Sequence, residues 1–182
     1  MQAQAEAGSV PYSVTHRNIR YPRLEFRTGS LLVVLPKGQD EKRILEKHRG
    51  WISKKYDYIR AALEASGNIE SESRSREELL ELTRRLIDEY SLELECSPTR
   101  IITKKMVTKW ASCSRRGCIT INSDVKFLPE PLVKYVLFHE MLHLIHRKHD
   151  ESFWKYINQK FDKPQELETQ LCSYWFLIHK MK

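Results

Sequence analysis

The sequence predicts an α+β fold in two parts. Two runs near the amino terminus alternate apolar and other residues, which is a strand pattern, and a long stretch of helical spacing follows them. Farther along, another helix and a second short strand region precede three more helices. We therefore expect a β-hairpin and helix subdomain over residues 1–66 and a larger core over residues 67–182.

The first part begins with a hairpin. Apolar residues alternate on either side of Thr28-Gly29, a turn signal; they are Leu24, Phe26, Leu31, Val33 and Leu35. After Asp40, apolar residues at helical spacing predict one long helix that stops near Gly67 and is weakened in its middle by Gly50. A polar stretch over residues 66–77 then reads as a linker.

The second part begins with a helix over REELLELTRRLIDEY, followed by short strands. The apolar positions of this helix that point inward are Leu79, Leu82, Leu86 and Ile87. The segment WASCSRRGCITIN predicts two strands joined at residues 115–117, with Ile119 and Ile121 on one face and Thr120 and Asn122 on the other.

Three helices complete the chain. Pro131 suits the first turn of a helix that we expect to end near Arg147. Asp150 is placed to cap a second helix, and the last runs from about Gln165 to Met181.

Composition limits the class of protein without assigning a function. The chain has 182 residues, of which 41% are hydrophobic, so it can bury a core. Residues 1–60 carry 12 basic and 6 acidic groups, residues 61–99 carry 4 and 10, and residues 100–182 carry 15 and 8, giving +6, −6 and +7. The two basic segments permit contact with nucleic acid or with acidic proteins, and net charge alone does not choose between them.

The cysteine content and the opening residues bear on the compartment. No secretory signal pattern and no run of about 18 uncharged apolar residues is visible, so we expect a cytoplasmic protein without a membrane span. Its four cysteines are then reduced thiols. Cys113 and Cys118 are a weak signal for a structural zinc, and buried free thiols are the better interpretation.

The segment VLFHEMLHLIHRKHDESFW contains an HExxH motif. Four residues advance a helix by about 400°, so His139 and His143 project from neighbouring turns of one face and can meet on one zinc ion. Glu140 lies about 100° around the helix, where its carboxylate can hydrogen-bond a water on the metal. Burying these groups in an otherwise apolar helix is costly without a partner, which a metal ion would supply.

A catalytic zinc site needs a third protein ligand. His146 is too far from His139, at about 10 Å along a straight helix, and is expected to support the site or face solvent. His149 can return to the metal if it lies in an elbow before the Asp150 cap. A carboxylate from the last helix, Glu166 or Glu168, is the alternative.

The segment from Met106 to Trp154 resembles the YgjP-like zinc metallopeptidases, relatives of the SprT-like group. The residues that carry the resemblance are Trp110, Ser112, Cys113, Asn122, His139, Glu140, His143, His149, Phe153 and Trp154. Ala111 stands where the family usually has glycine. The resemblance implies a zincin-like core, a small antiparallel sheet beside the HExxH helix, with His139, His143 and His149 as zinc ligands and Glu140 as catalytic acid/base.

The function expected from these residues is zinc-dependent endopeptidase activity on a peptide or protein substrate. Glu140 would accept a proton from a zinc-bound water as the water attacks the peptide carbonyl. Tyr174, Tyr156 and His146 are candidates for an additional oxyanion donor, and the strand over residues 118–122 is either a site for an extended substrate backbone or an ordinary sheet strand.

Two other functions stay open at this point. The zinc can be structural, in a non-catalytic zinc-binding module. Alternatively, the protein is a nucleic-acid-associated SprT-like protease, which the basic segments motivate. The oligomeric state and the identity of the substrate are not predicted by the sequence.

Overall fold

A computed structural model describes residues 5–7, 10–27, 30–66 and 71–180. The chain divides into two compact units, Met1–Asn68 and Ile69–Lys182. The mixed α+β class is confirmed, with small sheets and several helices. No described helix combines the length and apolar character that crossing a bilayer requires.

The first unit contains a four-stranded sheet. Its strands are β1 (Ala5–Ala7), β2 (Val10–Arg17), β3 (Arg23–Arg27) and β4 (Ser30–Pro36), in the order β1-β2-β4-β3. The predicted antiparallel pairing is confirmed, since Leu24 lies opposite Val33 and Phe26 opposite Leu31. The turn residues themselves, 28 and 29, lie outside the described residues. Strand β2 pairs in parallel with β4, a partner that alternation alone does not reveal.

Two helices pack in this unit instead of the single long one predicted. Helix α1 (Lys42–Lys47) ends at His48, and α2 (Arg49–Ser66) begins directly after it. The interruption lies next to Gly50, whose low helix propensity weakens this stretch. The predicted stop at Gly67 lies outside the described residues. The core of the unit is formed by Val10, Leu31, Val33, Leu35, Leu45 and Ile52.

The second unit begins with helix α3 (Arg76–Glu93). Ser75 forms a capping box with Glu78, in which each side chain bonds the backbone N–H of the other residue. The four positions predicted to face inward are all buried: Leu79, Leu82, Leu86 and Ile87.

A three-stranded sheet follows, formed by β5 (Arg100–Lys104), β6 (Ala111–Cys113) and β7 (Cys118–Asn122). The predicted hairpin is present as the antiparallel pair β6–β7. The sheet is mixed rather than wholly antiparallel, because β5 pairs with β7 in parallel, giving the order β5-β7-β6. Ile119 and Ile121 are buried as expected, but Asn122, which was placed on the opposite face, is also fully buried.

The remaining helices follow this sheet in the chain. A 3₁₀ helix (Ser123–Phe127) leads into α4 (Glu130–Leu142), with Pro131 in its first turn as predicted. Helices α5 (Glu151–Lys160) and α6 (Pro164–Lys180) follow. Helix α4 is at the centre of the core, and its buried positions are Leu132, Val133, Tyr135, Val136, Leu137, Phe138, Met141 and Leu142.

Candidate metal centre and active site

Three histidine rings converge at the end of helix α4. The Nε2 atom of His149 lies 2.9 Å from Nε2 of His139 and 3.1 Å from Nε2 of His143. Within the described part of the chain, these three residues form the group of side chains placed to share one metal ion. The structure therefore brings together the three histidines that the sequence singled out.

The chemistry of the donor atoms fits a metal. Nδ1 of His143 lies 2.9 Å from the backbone carbonyl oxygen of His146, which only accepts, so Nδ1 is the donor and Nε2 is the nitrogen whose lone pair can bind a metal. Tetrahedral zinc with nitrogens at about 2.0–2.1 Å requires ligand atoms roughly 3.3 Å apart, close to the observed separations. A cation between the rings would satisfy lone pairs that otherwise face one another.

His139 is suited to remain neutral. Burial, together with the charges of His143 and His149, lowers its pKa to about 3. Burial also lowers the pKa of His149, again with the charge of His143. Neutral imidazole is the form that binds a metal, so proton competition for these two rings is small near neutral pH.

His149 reaches the cluster from a loop. The sequence predicted that helix α4 would end near Arg147, but the helix ends at Leu142. The chain then tightens into short turns, in which the N–H of Leu144 donates to Met141 and that of Ile145 to Leu142. We call residues 144–148 the ligand loop, because they connect two of the converging histidines.

The far end of this loop is set by a helix cap. The Asp150 carboxylate accepts a hydrogen bond from the N–H of Phe153 at 3.1 Å, which confirms the predicted cap of α5. The Phe153 ring lies 4.9, 5.0 and 4.6 Å from the rings of His139, His143 and His149. An apolar ring against all three imidazoles restricts their rotation and excludes water from one side of the cluster.

His146 contributes through its backbone rather than its side chain. Its carbonyl oxygen receives the His143 N–H and thereby selects the ring tautomer. Its own imidazole lies 5.2 Å from the ring of Tyr156. The expectation that His146 is not a ligand agrees with this placement, and the supporting contact is one that a side-chain motif cannot reveal.

Glu140 lies in the cleft beside the histidines. Burial raises the pKa of its carboxyl above the ordinary value, while the charges of His143 and Lys109 and a hydrogen bond from the backbone N–H of Cys113 lower it in part. A carboxylate with a raised pKa, held by a backbone donor, is suited to take up and release a proton.

The cleft holds about 410 Å³ and runs between helix α4 and the sheet. Its sheet side is formed by β6, the edge strand, whereas the strand over residues 118–122 is the central strand and has both neighbours in place. Of the two interpretations of that strand, the structure supports the ordinary sheet strand. The strand exposed along the cleft is β6.

The two glutamates considered as ligands are outside the histidine group. Glu166 forms an exposed ion pair with Lys163 at 3.1 Å. Glu168 lines the cleft and accepts a hydrogen bond from the hydroxyl of Tyr135 at 2.9 Å. Neither belongs to the group of converging ligand atoms.

The residues considered as oxyanion donors are spread over the unit. Tyr174 lies in the hydrophobic core, and Tyr156 contacts His146 at the surface. Tyr135 and Lys109 line the cleft and were missed. The signal for Tyr135 was its position four residues before His139, one helical turn away, which the sequence also presents as an ordinary core position.

The cysteines are thiols in the structure. Cys96, Cys113, Cys118 and Cys172 are all free and partly buried. Burial raises the pKa of Cys113, which lines the cleft. The interpretation of free thiols agrees with this arrangement.

Comparisons with known proteins bear on the family. Two solved structures are similar to this chain. The first is the metallopeptidase zymogen abylysin of Pyrococcus abyssi, which is 24% identical, with a TM-score of 0.45 over 49% of this chain and 90% of that one. The second is the metallopeptidase zymogen jannalysin of Methanocaldococcus jannaschii, which is 24% identical, with a TM-score of 0.44 over 55% of this chain and 90% of that one. No curated protein matches the sequence significantly. The family model for the YgjP-like metallopeptidase domain matches residues 69–174, which include the whole cleft and all three converging histidines. The chain belongs to the YgjP-like metallopeptidase family.

Proposed function

We propose that this protein is a zinc-dependent endopeptidase that cleaves peptide bonds by Glu140-assisted attack of water. The observation that carries the proposal is the meeting of three histidine Nε2 atoms, two of the separations being 2.9 and 3.1 Å, in the cleft that Glu140 also lines. Three nitrogen ligands with an open side are the ligand set of many catalytic zinc sites.

His139, His143 and His149 would hold the ion. Bound there, zinc supplies Lewis acidity, which makes water a stronger acid and polarises a carbonyl group. The Glu140 carboxylate accepts the proton of the attacking water and delivers it to the leaving amine. Because burial already raises the pKa of this carboxyl, the same group can hold the proton between the two transfers.

The edge strand offers a place for the substrate backbone. Trp110 and Ser114 form hydrogen bonds with β7, so alternation along an antiparallel strand turns the backbone groups of Ala111 and Cys113 toward the cleft. An extended peptide can add to this edge as a further strand. Trp110, Leu171 and Val136 form apolar walls beside it, and Lys109 brings a donor to the cleft for the developing oxyanion.

Replacing Glu140 tests the mechanism. In Glu140→Gln the amide keeps the shape of the side chain and loses the proton acceptor, so we expect kcat/KM for a casein-type or fluorogenic peptide substrate to fall about a thousandfold. Zinc content should remain equal to that of the parent. Activity within tenfold of the parent would reject the role of Glu140. A parent that retains zinc and has no peptidase activity on a broad peptide library would favour a non-catalytic zinc-binding module.

Metal analysis tests the ligand set. We expect near-stoichiometric zinc in the purified protein and its strong loss in His149→Ala. Glu168→Ala is the matched control, since Glu168 lines the same cleft outside the histidine group. Unchanged zinc in His149→Ala together with a loss in Glu168→Ala would transfer the third ligand position to the glutamate.

A second candidate function rests on the first unit. Tyr21 and Trp51 expose 66% and 48% of their surface, and the Arg20 guanidinium lies 5.2 Å over the Tyr21 ring. Arg23 and Arg49 are exposed in the same unit. Exposed aromatic rings among cations suit stacking with the bases of single-stranded nucleic acid.

Salt dependence decides this second candidate. We expect single-stranded DNA to bind at about 50 mM salt and to be released steeply as salt increases, with weaker binding in Trp51→Ala. Failure to bind at the lower salt would leave the peptidase without a nucleic-acid role. We place either activity in the cytoplasm, an assignment that the four free thiols support.

A further inference from the structure

The ligand loop lies against the turn that joins β6 to β7. We call residues 114–117 the hairpin turn, and two of its carbonyl oxygens accept hydrogen bonds from the Arg147 guanidinium. Nη1 of Arg147 donates to the carbonyl oxygen of Ser114 at 2.8 Å, and Nη2 donates to that of Arg115 at 3.0 Å. Arg147 is two residues before His149. A planar guanidinium with two fixed acceptors restrains both the distance and the direction of the loop.

The hairpin turn is a fixed support. The N–H of Gly117 closes the turn onto Ser114 O at 3.0 Å. The Thr99 hydroxyl donates to Arg116 O at 2.8 Å, and the Thr99 N–H donates to Gly117 O at 3.0 Å. All four carbonyl groups of the turn therefore accept hydrogen bonds, two of them from Arg147, so the turn cannot easily follow a moving loop.

The same two segments also lie close together at Gly117. Gly117 has a φ of +75°, and a Cβ atom built there would lie 3.3 Å from the Thr99 methyl carbon and 3.5 Å from Cδ2 of Leu144. Leu144 is the first residue of the ligand loop. The turn thus lies beside the start of the loop at Leu144 and is hydrogen-bonded to the loop near its end through Arg147.

The same hairpin also reaches the proposed base. The backbone N–H of Cys113, the residue before the turn, faces the Glu140 carboxylate in the cleft. The Arg147 guanidinium is 3.9 Å from the Cys113 sulfur. One short hairpin therefore lies beside Glu140 at its strand and is bonded to the His149 segment at its turn.

We propose that Arg147 is a positioning residue that raises zinc affinity by docking the ligand loop on the β6–β7 turn and so presenting His149 to the metal. This inference rests on the proposed zinc site. Arg147 is outside the group of three histidines and outside the residues that line the cleft, and its side chain is exposed. Residues that orient metal ligands in this way typically change metal affinity by about 10–100-fold when they are removed.

The test compares four variants of the full-length protein by competition for zinc with a chromogenic chelator. In Arg147→Met, which keeps the length of the side chain and loses the donors, we expect the zinc Kd to rise about tenfold. Arg147→Lys should recover part of this loss, because an ammonium can still donate to the carbonyls. Lys148→Met and Arg115→Met remove a neighbouring charge while leaving both acceptors in place, and their Kd should stay within about twofold of the parent.

Substitution with cobalt gives a measurement that would not change if Arg147 only stabilised the fold. The visible absorption of the Co²⁺-substituted protein reports ligand geometry, and we expect it to change in Arg147→Met alone, while the far-UV circular dichroism of all metal-free variants remains that of the parent. A zinc Kd for Arg147→Met within twofold of the parent overturns the inference, as does failure of both Arg147 variants to fold. Absence of zinc binding by the parent itself would instead reject the proposed zinc site.

Discussion

Two irregular segments border the cleft, and they are held in different ways. Residues 105–109, here called the lysine loop, are fastened from inside by Asn122, whose side chain is fully buried. Its Oδ1 accepts from the N–H of Met106 at 3.2 Å, and its Nδ2 donates to the carbonyl oxygens of Met106 and Lys109 at 3.0 and 2.9 Å. The ligand loop is held from outside, by the exposed guanidinium of Arg147.

The difference teaches which part of the site depends on the metal. A buried amide that loses its partners keeps an unsatisfied polar group in the core, so the lysine loop is costly to release. An exposed guanidinium that leaves its carbonyls finds water instead, so the ligand loop is released at little cost. We infer that the sheet side of the cleft is preformed, whereas the His149 side depends on bound metal and on its surface contacts.

The largest effect is expected from the buried support. Asn122→Ala removes the bonds to Met106 and Lys109 and also the one that Oδ1 accepts from the N–H of Asp124 at 3.1 Å. We expect the free energy of unfolding to fall by about 3 kcal/mol, because one buried and three part-buried backbone groups lose their partner. Urea denaturation followed by fluorescence measures this change.

Thr120→Ala is the control for this experiment, since Thr120 lies on the same strand and is only partly buried. A loss of less than about 1 kcal/mol is expected there. Equal losses for the two variants would mean that strand β7, and not the buried amide, accounts for the effect, and the contrast between the loops would fail.

Metal removal sharpens the comparison directly. When a chelator removes zinc, we expect amide hydrogen exchange in residues 144–150 to accelerate about tenfold or more, because bound metal stabilises only the conformations that bind it. Exchange in the lysine loop should change by less than twofold. Hydrogen–deuterium exchange with mass spectrometry separates the two segments, and equal acceleration in both would show that the whole cleft depends on the metal.

The smallest effect concerns the cap that follows the ligand loop. Asp150→Ala removes the acceptor for the Phe153 N–H and should cost about 1 kcal/mol of stability, with a zinc Kd several-fold higher, because His149 adjoins the cap. Ser75→Ala removes an equivalent cap from helix α3 and should cost a similar amount of stability without altering zinc affinity. Thermal unfolding and chelator competition on both variants test this pairing, which fails if Ser75→Ala weakens zinc binding equally.

Regular spacing made the helical part of the site predictable. His139 and His143 are four residues apart on a helix, so their shared face follows from helix geometry alone. The helix end was misplaced because Leu144 and Ile145 continue the apolar pattern without a glycine or proline to stop it. What ends the helix is the tightening of the backbone after Leu142 and the bond from the His143 ring to a backbone carbonyl, neither of which has a sequence signal.

Strand neighbours were the other part that the sequence could not supply. Alternation identifies a strand and its buried face, as Ile119 and Ile121 show, but not which strands flank it. The parallel partner of β7 arrives from earlier in the chain, which makes β7 central and leaves β6 along the cleft. The alternation placed Asn122 on the face opposite Ile121, but it did not predict that Asn122 is a buried support. The hydrogen-bond partners of Asn122 lie in an irregular segment that has no periodicity.

Gly117 gives this arrangement a narrow tolerance to sequence change. Its positive φ strains any residue that has a side chain, and the Thr99 methyl carbon, 3.3 Å from the site of an added Cβ, would have to give by a few tenths of an ångström, so an alanine there favours a displacement of the turn. That displacement would shift Cys113, which lies beside Glu140, and would shift the carbonyl groups that hold Arg147 and thereby position His149. A single extra methyl group, some distance from any reacting atom, would therefore impair metal retention and turnover together, a paired defect that is easily mistaken for damage to the catalytic groups themselves.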